Sequence, residues 1–166
     1  MPGGMWSTGI LLLSVIARSK HMNMKYIDLS VISFFRRTFL PLARTALFVV
    51  FFWFGILKLL DLNPASPLAQ ALTAQTVGLQ YFDVLFNGLS VIECLIGVLF
   101  LILKATRVVI PLLFIHMIVV SAPLLLVPQQ VWAGFLVPTL EGQYIIKNVA
   151  IVALAIGVAA QTRPLA

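Results

Sequence analysis

Apolar residues gather into four long runs, about 42–60, 84–103, 108–127 and 144–162, separated by short polar gaps. Each approaches the ~20 residues a helix needs to cross a ~30 Å hydrocarbon layer at 1.5 Å per residue. Charges flank the runs: Arg44 and Asp61 the first, Asp83 and Lys104 the second, Arg107 the start of the third, Glu141 and Arg163 the fourth. An open sheet would leave backbone groups unpaired in lipid, and no segment shows the ten-residue alternation of a barrel strand. The pattern predicts an all-α integral membrane four-helix bundle over 42–162, preceded by an N-terminal segment, 1–41, that is cytoplasmic or interfacial.

That segment is weaker in pattern. Residues 10–17 (ILLLSVIA) are too few to span and lack the positive n-region of a signal peptide. Met22 and Met24 precede the strong pattern as alternative starts. Residues 26–40 mix Tyr26, Ile27, Phe34, Phe35 and Phe39 with Arg36 and Arg37, the make-up of an interfacial amphipathic helix; an extended juxtamembrane segment is the alternative. Between the first two spans, Asn63-Pro64 predicts a turn, and Ser66 before Pro67 predicts an N-cap opening a short helix over about 67–76. Pro128, Gln129, Gln130, Trp132, Gly134 and Pro138 predict a short element at the membrane interface.

Composition narrows the class. The 166 residues are 61% apolar and 10% charged, against about 45–50% and about 25% in soluble domains, which excludes a soluble enzyme, a secreted disulfide scaffold and a disordered tail. The net charge of +6 would suggest nucleic acid in a soluble chain, but its placement reads as topology. Arg18, Lys20, Lys25, Arg36, Arg37 and Arg44 precede or open the first run, Lys104 and Arg107 share one gap, and the loops 61–83 and 128–143 hold Asp61, Asp83 and Glu141 without Lys or Arg. The positive-inside rule therefore places both termini in the cytoplasm and those loops outside. With Cys94 as the single cysteine there is no dithiol and no Cys/His zinc site, so no metal is expected. His21 lies on the cytoplasmic side, and bis-histidine haem ligation inside the bundle is excluded.

Ionisable groups at depth cost at least ~2.5–3.5 kcal/mol each, so they face the bundle interior and seek partners. The chain places Lys58, Glu93, His116 and Lys147 within its spans. Glu93 and His116 fall near the midplane, and a midplane carboxyl cannot snorkel. At 100° per residue Asn87, Ser90, Glu93, Cys94 and Gly97 share one side of the second span, a stripe expected to face protein. On the fourth span Ala150, Ala153, Gly157 and Ala160 recur below Lys147 in the small-residue pattern of close helix packing, which points Lys147 inward; Gly55 and Lys58 repeat it on the first. The expectation is a buried cluster of Glu93 and Lys147, joined by Lys58, with His116 in reach. The alternative has both lysines snorkelling, Glu93 satisfied by Asn87 or Ser90, and His116 as a core residue. The first-span phenylalanines read as lipid-facing and packing residues.

Three pieces resemble the DoxX-like family of small membrane proteins, including its branch of inner-membrane proteins linked to reactive-chlorine resistance. They are FWFGILKLL at 52–60, the E-x-x-x-G of Glu93 to Gly97, and LEGQYIIKN at 140–148 with Glu141, Gly142, Lys147 and Asn148. The resemblance implies a four-span bundle and a link to membrane redox chemistry through quinone. No flavin, metal or dithiol centre is visible, so a redox role would draw on quinone or a membrane oxidoreductase partner. The expected function is an accessory component of membrane redox or oxidative-stress processes with a polar intramembrane pocket. A structural or assembly subunit without catalysis and a small-solute transporter are the alternatives, and a homo-oligomer fits each.

Overall fold

The computed structural model describes residues 5–62 and 66–162, with side chains described from Tyr26 onward. The turn at Asn63-Pro64 and the flanking charge Arg163 lie outside the described residues. The chain divides into two compact units, Met1–Leu40 and Pro41–Ala166.

Helix α1 runs Met5–Leu59 with Pro41 inside it, at the boundary between the two units. Proline has no N–H to give the preceding turn, which weakens the ladder at that point. Within the first unit the 26–40 stretch is helical, which removes the extended alternative, and Ser30 and Thr38 hydroxyls donate back to the carbonyls of Tyr26 and Phe34.

Among the described residues, four helices are long and apolar enough to cross a membrane: Tyr26–Leu59, Leu79–Leu101, Leu103–Leu126 and Leu140–Ala160. The first therefore begins well before residue 42. Its 34 residues give roughly 50 Å of helix, more than the hydrocarbon layer requires. The other three open a few residues before the apolar runs do, taking Asp83, Arg107 and Glu141 into their first turns.

The second unit is built on α1 from Pro41, α2 (Ser66–Thr76), α3 (Phe82–Leu101), α4 (Thr106–Ser121), α5 (Pro123–Leu126), α6 (Pro128–Val131) and α7 (Leu140–Ala160). The buried positions follow helical spacing: Arg44, Leu47, Phe51 and Lys58 on α1, Phe86, Ser90, Glu93, Gly97 and Phe100 on α3, and Thr106, Val109, Leu113 and His116 on α4. Such three- and four-residue steps keep one face turned to a neighbour. The opposite faces carry exposed Val49, Trp53, Val84, Val91, Val108 and Ile118, an apolar coat suited to lipid. Of the first-span phenylalanines, Phe51 is buried, Phe54 is exposed, and Phe48 stacks on Phe52 at 5.1 Å.

Glycine sets the approach of α1 to α3. A Cβ on Gly97 would lie 2.8 Å from the Phe52 backbone nitrogen, and one on Gly55 would lie 2.9 Å from the Ser90 carbonyl oxygen. Small residues are what permit such contact between helices in lipid, where dispersion between closely packed surfaces supplies much of the attraction. Arg44 closes the far end of this pair. Its guanidinium donates to the carbonyl of Phe100 at 2.8 Å and to the Thr106 hydroxyl, placing a positive charge on the C-terminal carbonyls of α3, where the helix dipole is negative.

α7 packs on α4 and α6. Thr139 caps it, its hydroxyl accepting from the Gly142 amide at 3.2 Å and donating to the Gln130 carbonyl at 2.8 Å. Gly142 lies against the Val131 carbonyl so closely that a side chain there would collide. The small-residue stripe takes the other side. The buried residues of α7 are Gly142, Ile145, Ala155 and Val158, whereas Ala150 and Ala153 are exposed and Gly157 is half-buried. Ala153 and Gly157 each stand two residues, roughly 200°, from Ala155, so a face that holds Ala155 on α4 turns them outward. Between the third and fourth candidate spans lie α6 and a two-stranded antiparallel hairpin, β1 (Trp132–Gly134) with β2 (Val137–Pro138). Trp132 Nε1 donates to the Leu124 carbonyl at 3.0 Å.

Candidate functional site

Three helices each bring one ionisable side chain to a common point in the second unit. Glu93 comes from the buried face of α3 and His116 from that of α4, each 4% exposed. Lys58 comes from the last turn of α1. The end of that helix is fixed by a Schellman arrangement: the Leu62 amide donates to Leu57 O at 2.9 Å and the Asp61 amide to Lys58 O at 3.2 Å. Asp61 takes the left-handed position, φ 56°, usually given to glycine. Side chains on a helix lean toward its N-terminus, so Lys58, three residues from Asp61 in sequence, reaches back into the interior.

Lys58 Nζ and His116 Nε2 converge on the same carboxylate oxygen. Nζ makes an ion-paired hydrogen bond to Glu93 Oε1, and Nε2 lies 3.2 Å from it. The His116 ring meets Phe51 edge-on at 5.6 Å, which seats the imidazole against α1. The second carboxylate oxygen, Oε2, and the second ring nitrogen, Nδ1, are buried with no hydrogen-bond partner. Such atoms are rare, because an unmet buried acceptor costs about 1–3 kcal/mol. The cluster is thus a Lys58–Glu93 ion pair with the His116 ring set against the same oxygen, and with two buried atoms, Oε2 and Nδ1, left over.

The remaining predicted residues fall elsewhere. Lys147 is exposed, its ammonium 5.0 Å from the Tyr144 ring centroid, and does not join Glu93. It stands two residues, roughly 200°, from Ile145, which is buried, and Tyr144 is its partner. Asn87 is exposed as well, because it lies roughly 110° round from the buried face of α3. Ser90 is fully buried, but its hydroxyl donates to the Phe86 carbonyl at 2.6 Å. Asn148 is half-buried on α7. Cys94 Sγ is 3.9 Å from the Phe52 carbonyl, and it fills the space over Gly55.

Arg44 and Thr106 are polar residues whose joint role the charge pattern hid. Arg44 is 7% exposed and serves as a helix cap as well as a flanking charge; the signal for it was its place on the stripe with Leu47, Phe51 and Lys58. Among the described residues, no three His, Cys, Asp or Glu side chains gather where a metal ion could be held. Comparison of the chain with protein-family models, curated proteins and solved structures finds no match.

Proposed function

We propose that the chain is a multi-pass protein of the cytoplasmic membrane, of the DoxX-like kind, acting as an accessory component of membrane redox or oxidative-stress processes through a polar intramembrane site at Lys58, Glu93 and His116. One observation carries this reading: Lys58 and His116, from two spans, converge on one carboxylate oxygen of Glu93 from a third, while Glu93 Oε2 and His116 Nδ1 make no bond within the protein. A triad built only to hold helices together gains from having every polar atom satisfied, and two orphaned acceptors speak for a ligand or a proton.

Two of the three pieces that carry the resemblance meet here, while LEGQYIIKN on α7 does not. FWFGILKLL supplies Gly55 and Lys58, and the E-x-x-x-G supplies Glu93 and Gly97. A quinone suits the donor set, because an ammonium has three N–H groups and Lys58 uses one on Glu93. Lys58 would face a carbonyl oxygen, and Glu93 and His116 would take protons from hydroxyls. When bound, a quinone/quinol couple would supply the redox chemistry that the side chains lack; the residues would bind and orient it, and Glu93 and His116 would take up the protons that the quinol form releases as its electrons pass to a partner.

The test is to purify wild type and Glu93→Gln in detergent, extract each for quinone, haem and flavin, and measure thermal shifts with added quinones. A quinone that co-purifies with wild type and raises its melting temperature, with both effects lost in Glu93→Gln, is the expected outcome. A wild-type protein that carries nothing and ignores every quinone removes this reading. It would leave an assembly subunit, which the joining of three spans by one carboxylate also favours.

A further inference from the structure

The two unbonded atoms of the triad have a chemical sense. Glu93 Oε1 only accepts hydrogen bonds as a carboxylate, so the nitrogen set against it, His116 Nε2 at 3.2 Å, is the one that carries the ring proton. The Lys58 and Glu93 charges then pair with each other, which leaves Nδ1 as the acceptor nitrogen of the imidazole. Glu93 Oε2 is an acceptor too. Both orphaned positions, in residues 4% exposed, therefore ask for a hydrogen-bond donor, while the remaining N–H groups of Lys58 offer donors in return.

A carbonyl oxygen can answer only Lys58 and would leave both acceptors unmet. A hydroxyl answers both kinds, donating its proton to Glu93 Oε2 or His116 Nδ1 and accepting from Lys58. Resting on the quinone-class reading above, we propose that the Lys58–Glu93–His116 site is selective for the hydroxyl form of a lipid-soluble ligand, a phenol or quinol, over the corresponding carbonyl form. The other charged groups do not disturb this polarity. On α1 and α3 the facing ionisable groups are Lys58 and Glu93 themselves with the Cys94 thiol beside them, and on α4 His116 alone. Lys147 of α7 is occupied with Tyr144.

The experiment uses the full chain in lipid nanodiscs under anaerobic conditions, titrated with a short-tailed benzoquinol and with the matching benzoquinone. The quinol should bind at least about ten-fold tighter, since a ligand that leaves buried acceptors unmet forfeits about that factor for each. Equal affinities, or preference for the quinone, overturn the selectivity while leaving the proposed function standing. Binding of neither removes both. Because the chain has two histidines, ¹⁵N-imidazole spectra against a His21→Gln reference read the site without any change to the triad. His116 should show one unprotonated nitrogen that moves on adding quinol and stays on adding quinone; two protonated nitrogens in the free protein would overturn the assignment. In the charge-free pair Lys58→Met with Glu93→Gln, the quinol-to-quinone ratio should fall to about one.

Discussion

At the scale of the residue, Glu93 holds two cationic or polar partners with one oxygen, so its replacement is felt by both. Glu93→Gln leaves the Lys58 ammonium buried without a counter-charge, and losing one member of a buried pair costs about 3–5 kcal/mol. Lys58→Met should cost a similar amount, because it strands the carboxylate. The double variant removes both charges together, so it should recover most of the loss, and thermal unfolding of the four proteins in one detergent measures the coupling. A double variant no more stable than the worse single one would mean that the two groups do not act as a pair. The sequence made Glu93 and His116 visible as intramembrane polar groups, since their depth follows from distance to the flanking charges. It misjudged Lys147 for a physical reason. Depth along a helix and direction around it are separate quantities, and Lys58, shallow but inward, and Lys147, at a similar depth but outward, differ only in the second.

At the scale of the element, α1 and α3 meet where neither has a side chain to spare. Gly97→Ala would put a methyl group 2.8 Å from the Phe52 backbone nitrogen, and because backbone cannot swing aside, the helices must part, at about 1–3 kcal/mol. Gly88→Ala on the same helix meets nothing within 4 Å; there the gain in helix propensity should be neutral to stabilising by about 1 kcal/mol. Unfolding midpoints of the two variants compared with wild type check the pair, and equal effects would argue against a close α1–α3 crossing. The number and helical type of the spanning elements were legible in the hydrophobic pattern, because a helix in lipid must be long and apolar. Which face of α7 is buried was not. Small residues look the same whether they admit a neighbour of the same chain or face outward, and only the position of α4, fixed by tertiary packing, separates Ala155 from Ala153.

At the scale of the whole molecule, charge placement carries an orientation that cysteine labelling can test. In a Cys94→Ser background, Gln129→Cys in the segment between the third and fourth spans should react with a membrane-impermeant maleimide in intact cells. Lys104→Cys, in the turn between α3 and α4, should react only after permeabilisation, as the positive-inside rule demands. The opposite pattern would invert the topology while leaving the triad intact. Both positions are exposed, so neither substitution disturbs packing. The Lys58–Glu93 pair adds something about how such a chain is made. The two residues are 35 positions apart, and His116 lies further along still, so the ribosome delivers the lysine well before its counter-charge. Until α3 arrives, α1 carries an unmatched ammonium that lipid disfavours, and the first span gains full stability in the bilayer only with the second. The unit of membrane insertion is then the helical hairpin rather than the single helix, with the buried glutamate acting as the latch that commits the first half of the protein to stay.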